Sequence, residues 1–141
     1  MTRLLSTFSD NPRVVVVGAT GGIGAALVRL LAAEAHVVAL SRRGETVPGA
    51  AETAALDLLD EDSIAAAAAA AGDALDLVIV ATGVLQRRPD VVPEKTWRQF
   101  SKQTFDQVFA INTTGPALVA KHFLPLLGRR RKAVFAALSA R

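Results

Sequence analysis

Residues 14–24 read Val-Val-Val-Val-Gly-Ala-Thr-Gly-Gly-Ile-Gly. Four consecutive β-branched apolar residues form a strand that is buried on both faces. A glycine-rich turn follows at once. Ala25, Ala26, Leu27, Leu30 and Leu31 then carry a helical apolar pattern. Strand, glycine turn and helix in this order make a phosphate-binding device. Backbone N–H groups of the turn come close to a pyrophosphate, and the helix N-terminus adds the positive end of its dipole. In this reading Gly18 makes the tight turn out of the strand, Gly22 lets the backbone approach the ligand, and Gly24 lets the helix pack closely on the sheet. Thr20, Gly21 and Ile23 belong to the same candidate cofactor turn.

Working outward, residues 1–12 read as a short flexible lead and residues 13–141 as one dinucleotide-binding domain. Strands are expected over 13–17, 36–40, 52–56, 75–81 and 133–138. Helices are expected over 22–34, from Asp60 or Asp62 as N-cap through the alanine tract 65–71 to a stop at Gly72, and in one long segment over 105–127. A polar connection through Pro89 and Pro93 precedes that segment. Alternating strands and helices imply an α/β fold: a doubly wound parallel sheet with right-handed crossovers.

Composition bounds the rest. The chain has 141 residues, is 51% hydrophobic and carries a formal net charge of +3. It has no cysteine, which excludes a disulfide scaffold, a thiolate metal site and a cysteine nucleophile. No metal site is expected. The first twelve residues are polar and lack a signal-peptide pattern, and no apolar run is long enough to span a bilayer. A cytoplasmic protein without membrane partners is expected. Arg129, Arg130, Arg131 and Lys132 are contiguous. They read as a solvated loop, not as a nucleic-acid surface, because no aromatics interleave with them.

The end of the second strand reads Leu40-Ser41-Arg42-Arg43. An NAD site would place a carboxylate there for the ribose 2′-hydroxyl. Two guanidinium groups stand there instead, and a planar, always-charged guanidinium suits a 2′-phosphate. NADP(H) is therefore favoured over NAD(H), with Ser41, Arg42 and Arg43 as candidates.

Gly18, Gly22 and Gly24 fit the G-x-x-x-G-x-G spacing and so resemble the short-chain dehydrogenase/reductase family. Gly18, Gly21 and Gly24 also fit G-x-x-G-x-x-G, found in relatives built differently beyond the cofactor half, and the glycines alone do not choose. The resemblance extends from Arg13 to Arg141. It implies a Rossmann-like sheet of about five strands, incomplete at the C-terminus. It also implies that the Asp57 side chain, beside Leu58, bonds the adenine amino group. Ala81-Thr82-Gly83 stands where the family usually has Asn-Ala-Gly, so the backbone passes over the adenosine ribose without the usual asparagine.

The segment around Asn112, with Thr113, Thr114, Gly115 and Pro116, is similar to the family's catalytic helix. There the backbone carbonyl of the asparagine holds a water in a proton relay, and Pro116 is expected to kink the helix and free a carbonyl near Asn112. Pro93-Glu94-Lys95 resembles the C-factor-like, carbonyl-reductase-like branch. Ser139 aligns with the first of the family's two serines and Ala140 with the second. The substrate-polarising hydroxyl is Ser139's or lies next to it.

The family reaction also needs a tyrosine acid/base with a lysine four residues on. This chain contains no tyrosine. Sequence reasoning therefore points to the cofactor-binding part of an NADP-dependent oxidoreductase acting on a small-molecule carbonyl or alcohol. The acid/base and substrate pocket would lie beyond Arg141, the 141 residues alone would be inactive, and a complete chain would form homo-oligomers. The alternative is a non-catalytic dinucleotide-binding module, a redox sensor or partner-binding subunit.

Overall fold

The computed structural model describes residues 3–84 and 92–139. Pro89 of the expected connection, Ala140 and Arg141 lie outside them. Five strands, β1 (Arg13–Val17), β2 (His36–Ser41), β3 (Glu52–Ala55), β4 (Leu77–Val80) and β5 (Val134–Ala137), form one parallel sheet in the order β3-β2-β1-β4-β5. The most apolar strand is thus the central one, as its lack of any polar face requires. Its alternate residues feed two cores. Val15 and Val17 face α2 (Glu61–Ala71) and α4 (Gly115–Phe123), with Ile64, Ala67, Val119 and Phe123 packed against them. Val14 and Val16 face α1 (Gly22–Leu31), which contributes Val28 and Leu31. Helices on both faces give the doubly wound α/β arrangement that the alternation of the sequence requires.

Local chemistry sets the element ends. Asp60 is the N-cap of α2, and its side chain accepts from the Asp62 N–H at 3.0 Å. Gly72 ends the helix at φ +77°. The alanine tract packs as small core residues, with Ala67, Ala68 and Ala71 buried.

The long helix expected over 105–127 is not one helix. A 3-10 turn at Trp97–Gln99 precedes α3 (Lys102–Phe109), which is capped by Ser101 through the Thr104 N–H. A π-helical segment, Ala110–Thr114, follows, and only then α4. The Gly115 N–H reaches back to the Ala110 carbonyl, the wide bond of a π turn. Pro116 is the physical cause. It lacks an N–H and its ring crowds the preceding turn, so it sits in the first turn of a new helix.

The lead is anchored where the sequence suggests flexibility. Leu5 is buried in the α1-side core. The N–H groups of Leu4 and Leu5 both donate to the Glu34 carboxylate at 3.0 Å. They hold its carboxyl below the usual range, Leu5 contributing most. Asp76, 0% exposed, gathers the bottom of the sheet. It accepts from Ser9 Oγ (3.1 Å), the Arg13 N–H (2.9 Å) and Arg131 Nε (2.8 Å). Lys132 donates to Thr7 Oγ1 at 2.7 Å. Two residues of the basic run are therefore occupied in closing the fold.

Candidate functional site

All five strands point their carboxyl ends the same way, because every pairing is parallel. A cavity of about 420 Å³ opens at that edge, within the ~300–1,000 Å³ range of small-molecule sites. Its walls come from the ends of the central strands. Gly18, Thr20 and Gly21 follow β1, Ser41 ends β2, and Arg42 and Arg43 follow it. Asp57 and Leu58 follow β3, and Ala81, Thr82 and Gly83 follow β4. Residues spread over more than sixty positions of sequence meet here because the crossovers return each strand to the same edge.

The glycine turn is built as its sequence requires. Gly18 has φ +83°, and a Cβ there would stand 2.7 Å from Thr82 Cγ2. Gly24 is buried, and a Cβ on it would lie 2.0 Å from the Gly18 carbonyl oxygen. The helix can sit on the turn only because that carbon is absent. Gly22, by contrast, has nothing within 4 Å of its Cβ position. The N-cap of α1 is Gly21, with no side-chain cap and no acidic residue in the first turn. The Gly21 N–H is used within the turn, on the Gly18 carbonyl at 3.1 Å. The donors of the first helical turn, from Gly22 on, have no side-chain cap and an unmatched dipole, the condition under which an anion binds, although neither Gly22 nor Gly24 lines the cavity. Ile23 is 63% exposed on that first turn and does not line the cavity.

Asp57 uses its side chain locally. Oδ1 accepts from the Leu59 N–H at 3.0 Å, an Asx turn, while the Asp57 N–H donates to Ser63 Oγ at 2.9 Å. Thr82 Oγ1 is buried in the wall with no hydrogen-bond partner among the described residues. Arg42 and Arg43 are exposed, and among the described residues neither guanidinium enters a hydrogen bond or ion pair of its own.

Asn112 lies in the π segment and not in the cavity wall. Its side chain grips the loop after β4 from both sides. Oδ1 accepts from the Val84 N–H at 2.8 Å, and Nδ2 donates to the Val84 carbonyl at 2.7 Å. The π segment turns Asn112 toward that loop and brings Ile111 into the wall. Ser139 is exposed just past β5 and does not line the cavity.

One carboxylate was not legible at the end of β2. Glu45 lines the cavity beside Arg42 and Arg43, and the Ser41 hydroxyl donates to its Oε2 at 2.5 Å. That hydroxyl holds the Glu45 carboxyl below the usual carboxylate range, helped by the Glu45 N–H and the nearby Arg43 charge. The expectation that no carboxylate serves this corner is corrected: the turn at Gly44 brings one back. The glycine at position 44, which takes φ +68°, was the signal in the sequence for a tight reversal. The described residues hold no cluster of three or more metal-ligating side chains. None of their helices is long and apolar enough to cross a membrane.

The profile of the short chain dehydrogenase family matches residues 12–139. Cis-4-hydroxycyclohexanecarboxylate dehydrogenase of Sinomonas cyclohexanicum is 32% identical over 126 residues, covering 78% of this chain and 47% of that protein. Among solved structures, a short-chain type dehydrogenase/reductase from Mycobacterium ulcerans superposes with a TM-score of 0.74 at 22% identity. That match covers 95% of this chain and 52% of the other. A small-chain dehydrogenase solved in complex with NADPH matches with a TM-score of 0.66 at 24% identity, covering 89% and 50%. The chain thus spans about half the length of these relatives.

Proposed function

Because this chain belongs to the short chain dehydrogenase family, we propose that it is the cofactor-binding part of an NADP-dependent oxidoreductase. The observation that carries this reading is the carboxyl-edge cavity, whose lining includes both Gly21, the uncapped N-cap of α1, and the residues Arg42 and Arg43. The spacing of a pyrophosphate and a ribose 2′-phosphate needs two such anion-accepting points. The relative solved with NADPH supports the same choice.

The residues fit the dinucleotide. The N–H groups of the first helical turn, from Gly22 on, would receive the pyrophosphate, and Gly22 leaves room for it. Asp57 and Leu58 would border the adenine, and Ala81, Thr82 and Gly83 would pass over the ribose. When bound, the cofactor supplies or takes the hydride exchanged with a carbonyl or alcohol carbon. Asn112 is a positioning residue: it fixes the loop at Val84, and its backbone carbonyl, which has no N–H to meet at Pro116 four residues on, would hold the relay water. Ser139 would polarise the substrate oxygen from the end of β5. Pro93-Glu94-Lys95, in the loop before α3, supports a place in the C-factor-like branch.

Protonation of the product oxygen has no candidate among these 141 residues, which include no tyrosine. That observation favours a second reading, a dinucleotide-binding module that does no chemistry by itself, and both readings expect no carbonyl reduction from this chain alone. In the first, the acid/base belongs to residues other than these, and the whole protein acts on a small carbonyl or alcohol as a homo-oligomer.

The test is cofactor binding. Arg42→Ala should weaken NADPH binding about ten- to a hundredfold and NADH binding little, since a charge-assisted contact contributes roughly 1.5–3 kcal/mol. Equal losses for the two cofactors, or a parent that prefers NADH, would count against NADP.

A further inference from the structure

The turn after β2 does more than present two arginines. β2 ends at Ser41, which is 3% exposed. Arg42 and Arg43 occupy the middle of a turn closed by the Gly44 N–H on the Ser41 carbonyl at 3.2 Å. Gly44 has φ +68°, and a Cβ there would stand 3.0 Å from the Ala55 backbone nitrogen. Glycine therefore holds the reversal tight against β3. The chain comes back on itself, and the Glu45 N–H donates to Ser41 Oγ at 3.2 Å while the Ser41 hydroxyl donates to Glu45 Oε2 at 2.5 Å.

This reciprocal pair clamps a carboxylate over the end of β2, beside two guanidinium groups that have no partner of their own among the described residues. Ser41, Arg42, Arg43 and Glu45 all line the cavity. A corner that suits an anion thus already contains one, supplied by the chain itself. Two ligands meet it differently. A ribose 2′-hydroxyl can donate to the clamped carboxylate. A ribose 2′-phosphate carries close to two negative charges and is repelled by it.

We infer that Glu45 is a specificity-determining residue, a built-in occupant of the anion corner that favours an unmodified adenosine ribose and must leave Ser41 before a 2′-phosphorylated one can bind. The inference rests on the dinucleotide reading given above and deepens it. It makes the preference for NADPH the balance of two arginines against one glutamate, smaller than the arginines alone would give. Ser41 is a positioning residue in this device, because its hydroxyl holds the carboxylate in place.

The test titrates the purified chain with NADPH, NADH and adenosine 2′-monophosphate at one low ionic strength, by calorimetry, for the parent, Glu45→Gln and Glu45→Ala. Glutamine keeps the acceptor for Ser41 and removes the charge, and Glu45 is exposed, so both variants should fold. Exposed like-charge pairs are each worth a few-fold in affinity. Both variants should bind NADPH and adenosine 2′-monophosphate about three- to tenfold more tightly, with NADH unchanged or weaker. NADPH binding that neither variant improves, or equal improvement for NADPH and NADH, overturns the inference and leaves the dinucleotide reading intact. Tighter adenosine 2′-monophosphate binding in the variants, with no dinucleotide bound by any form, supports the corner and overturns the dinucleotide reading. No response to any of the three ligands overturns both.

Discussion

Gly24→Ala perturbs the closest approach in the cofactor turn. The added methyl would start 2.0 Å from the Gly18 carbonyl oxygen, 2.8 Å from the Gly18 carbonyl carbon and 3.1 Å from Ala19 Cα. All three are backbone atoms, so no rotamer change relieves the contact. Helix α1 and the turn must separate by about 1 Å to reach even the 3.0 Å that real contacts rarely fall below. That movement pulls Val28 and Leu31 from the core they fill and opens the turn at Gly18. Overpacking of this kind costs about 1–3 kcal/mol, and the rigid neighbours place it near 3. For a chain of this size the loss lowers Tm by roughly 10 °C. Gly22→Ala is the control. It adds the same methyl two residues away into open space, and alanine is the better helix former. Its Tm should equal or exceed that of the parent, while NADPH binding falls because the methyl stands where the pyrophosphate approaches. Thermal melts followed by circular dichroism, with calorimetry for binding, separate the two. A Gly24→Ala protein melting within about 2 °C of the parent would refute the close-packing argument.

Asp76→Ala removes the acceptor that joins Ser9, Arg13 and Arg131 under the sheet. It should destabilise the chain by about 1–3 kcal/mol, because the Arg13 N–H and the Ser9 hydroxyl lose their shared acceptor while the half-exposed Arg131 turns to water; a urea midpoint shift equivalent to less than about 0.5 kcal/mol would speak against that role. Acid should weaken the fold. Lys121 first and His122 second hold the Glu61 carboxyl below its ordinary value near 4.5, and His36 first, then Arg13, lowers that of Glu52. A lowered folded-state value gives stability that is present above the ordinary value and is lost as pH falls through the lower one. Melting temperature should therefore hold steady from neutral pH to about pH 5 and decline below it. Glu61→Gln should flatten part of that decline, and an unaltered profile would remove Glu61 from the account.

The fold was legible because its causes are local. Four valines in a row can only be an inner strand, the glycines after them mark a turn too tight for a side chain, and Gly72 and Asp60 end and begin helices through their own backbone chemistry. That the candidate residues meet was legible too: Gly18, Ser41, Asp57 and Thr82 stand at or just past strand ends, and parallel strands bring those ends to one edge, where all four line the cavity. The break in the long helix at Asn112 was half legible, since Pro116 announces a disruption but not whether it is a kink or a π turn. The grip of Asn112 on Val84 that accompanies the π turn is a contact across twenty-eight residues, which no local pattern shows. The anchoring of the lead on Glu34 and the burial of Asp76 among three distant donors were decided by tertiary structure alone. Pattern and propensity describe what a residue does to its neighbours in sequence. They carry no record of which charged side chain another part of the chain will meet once the sheet has brought them together.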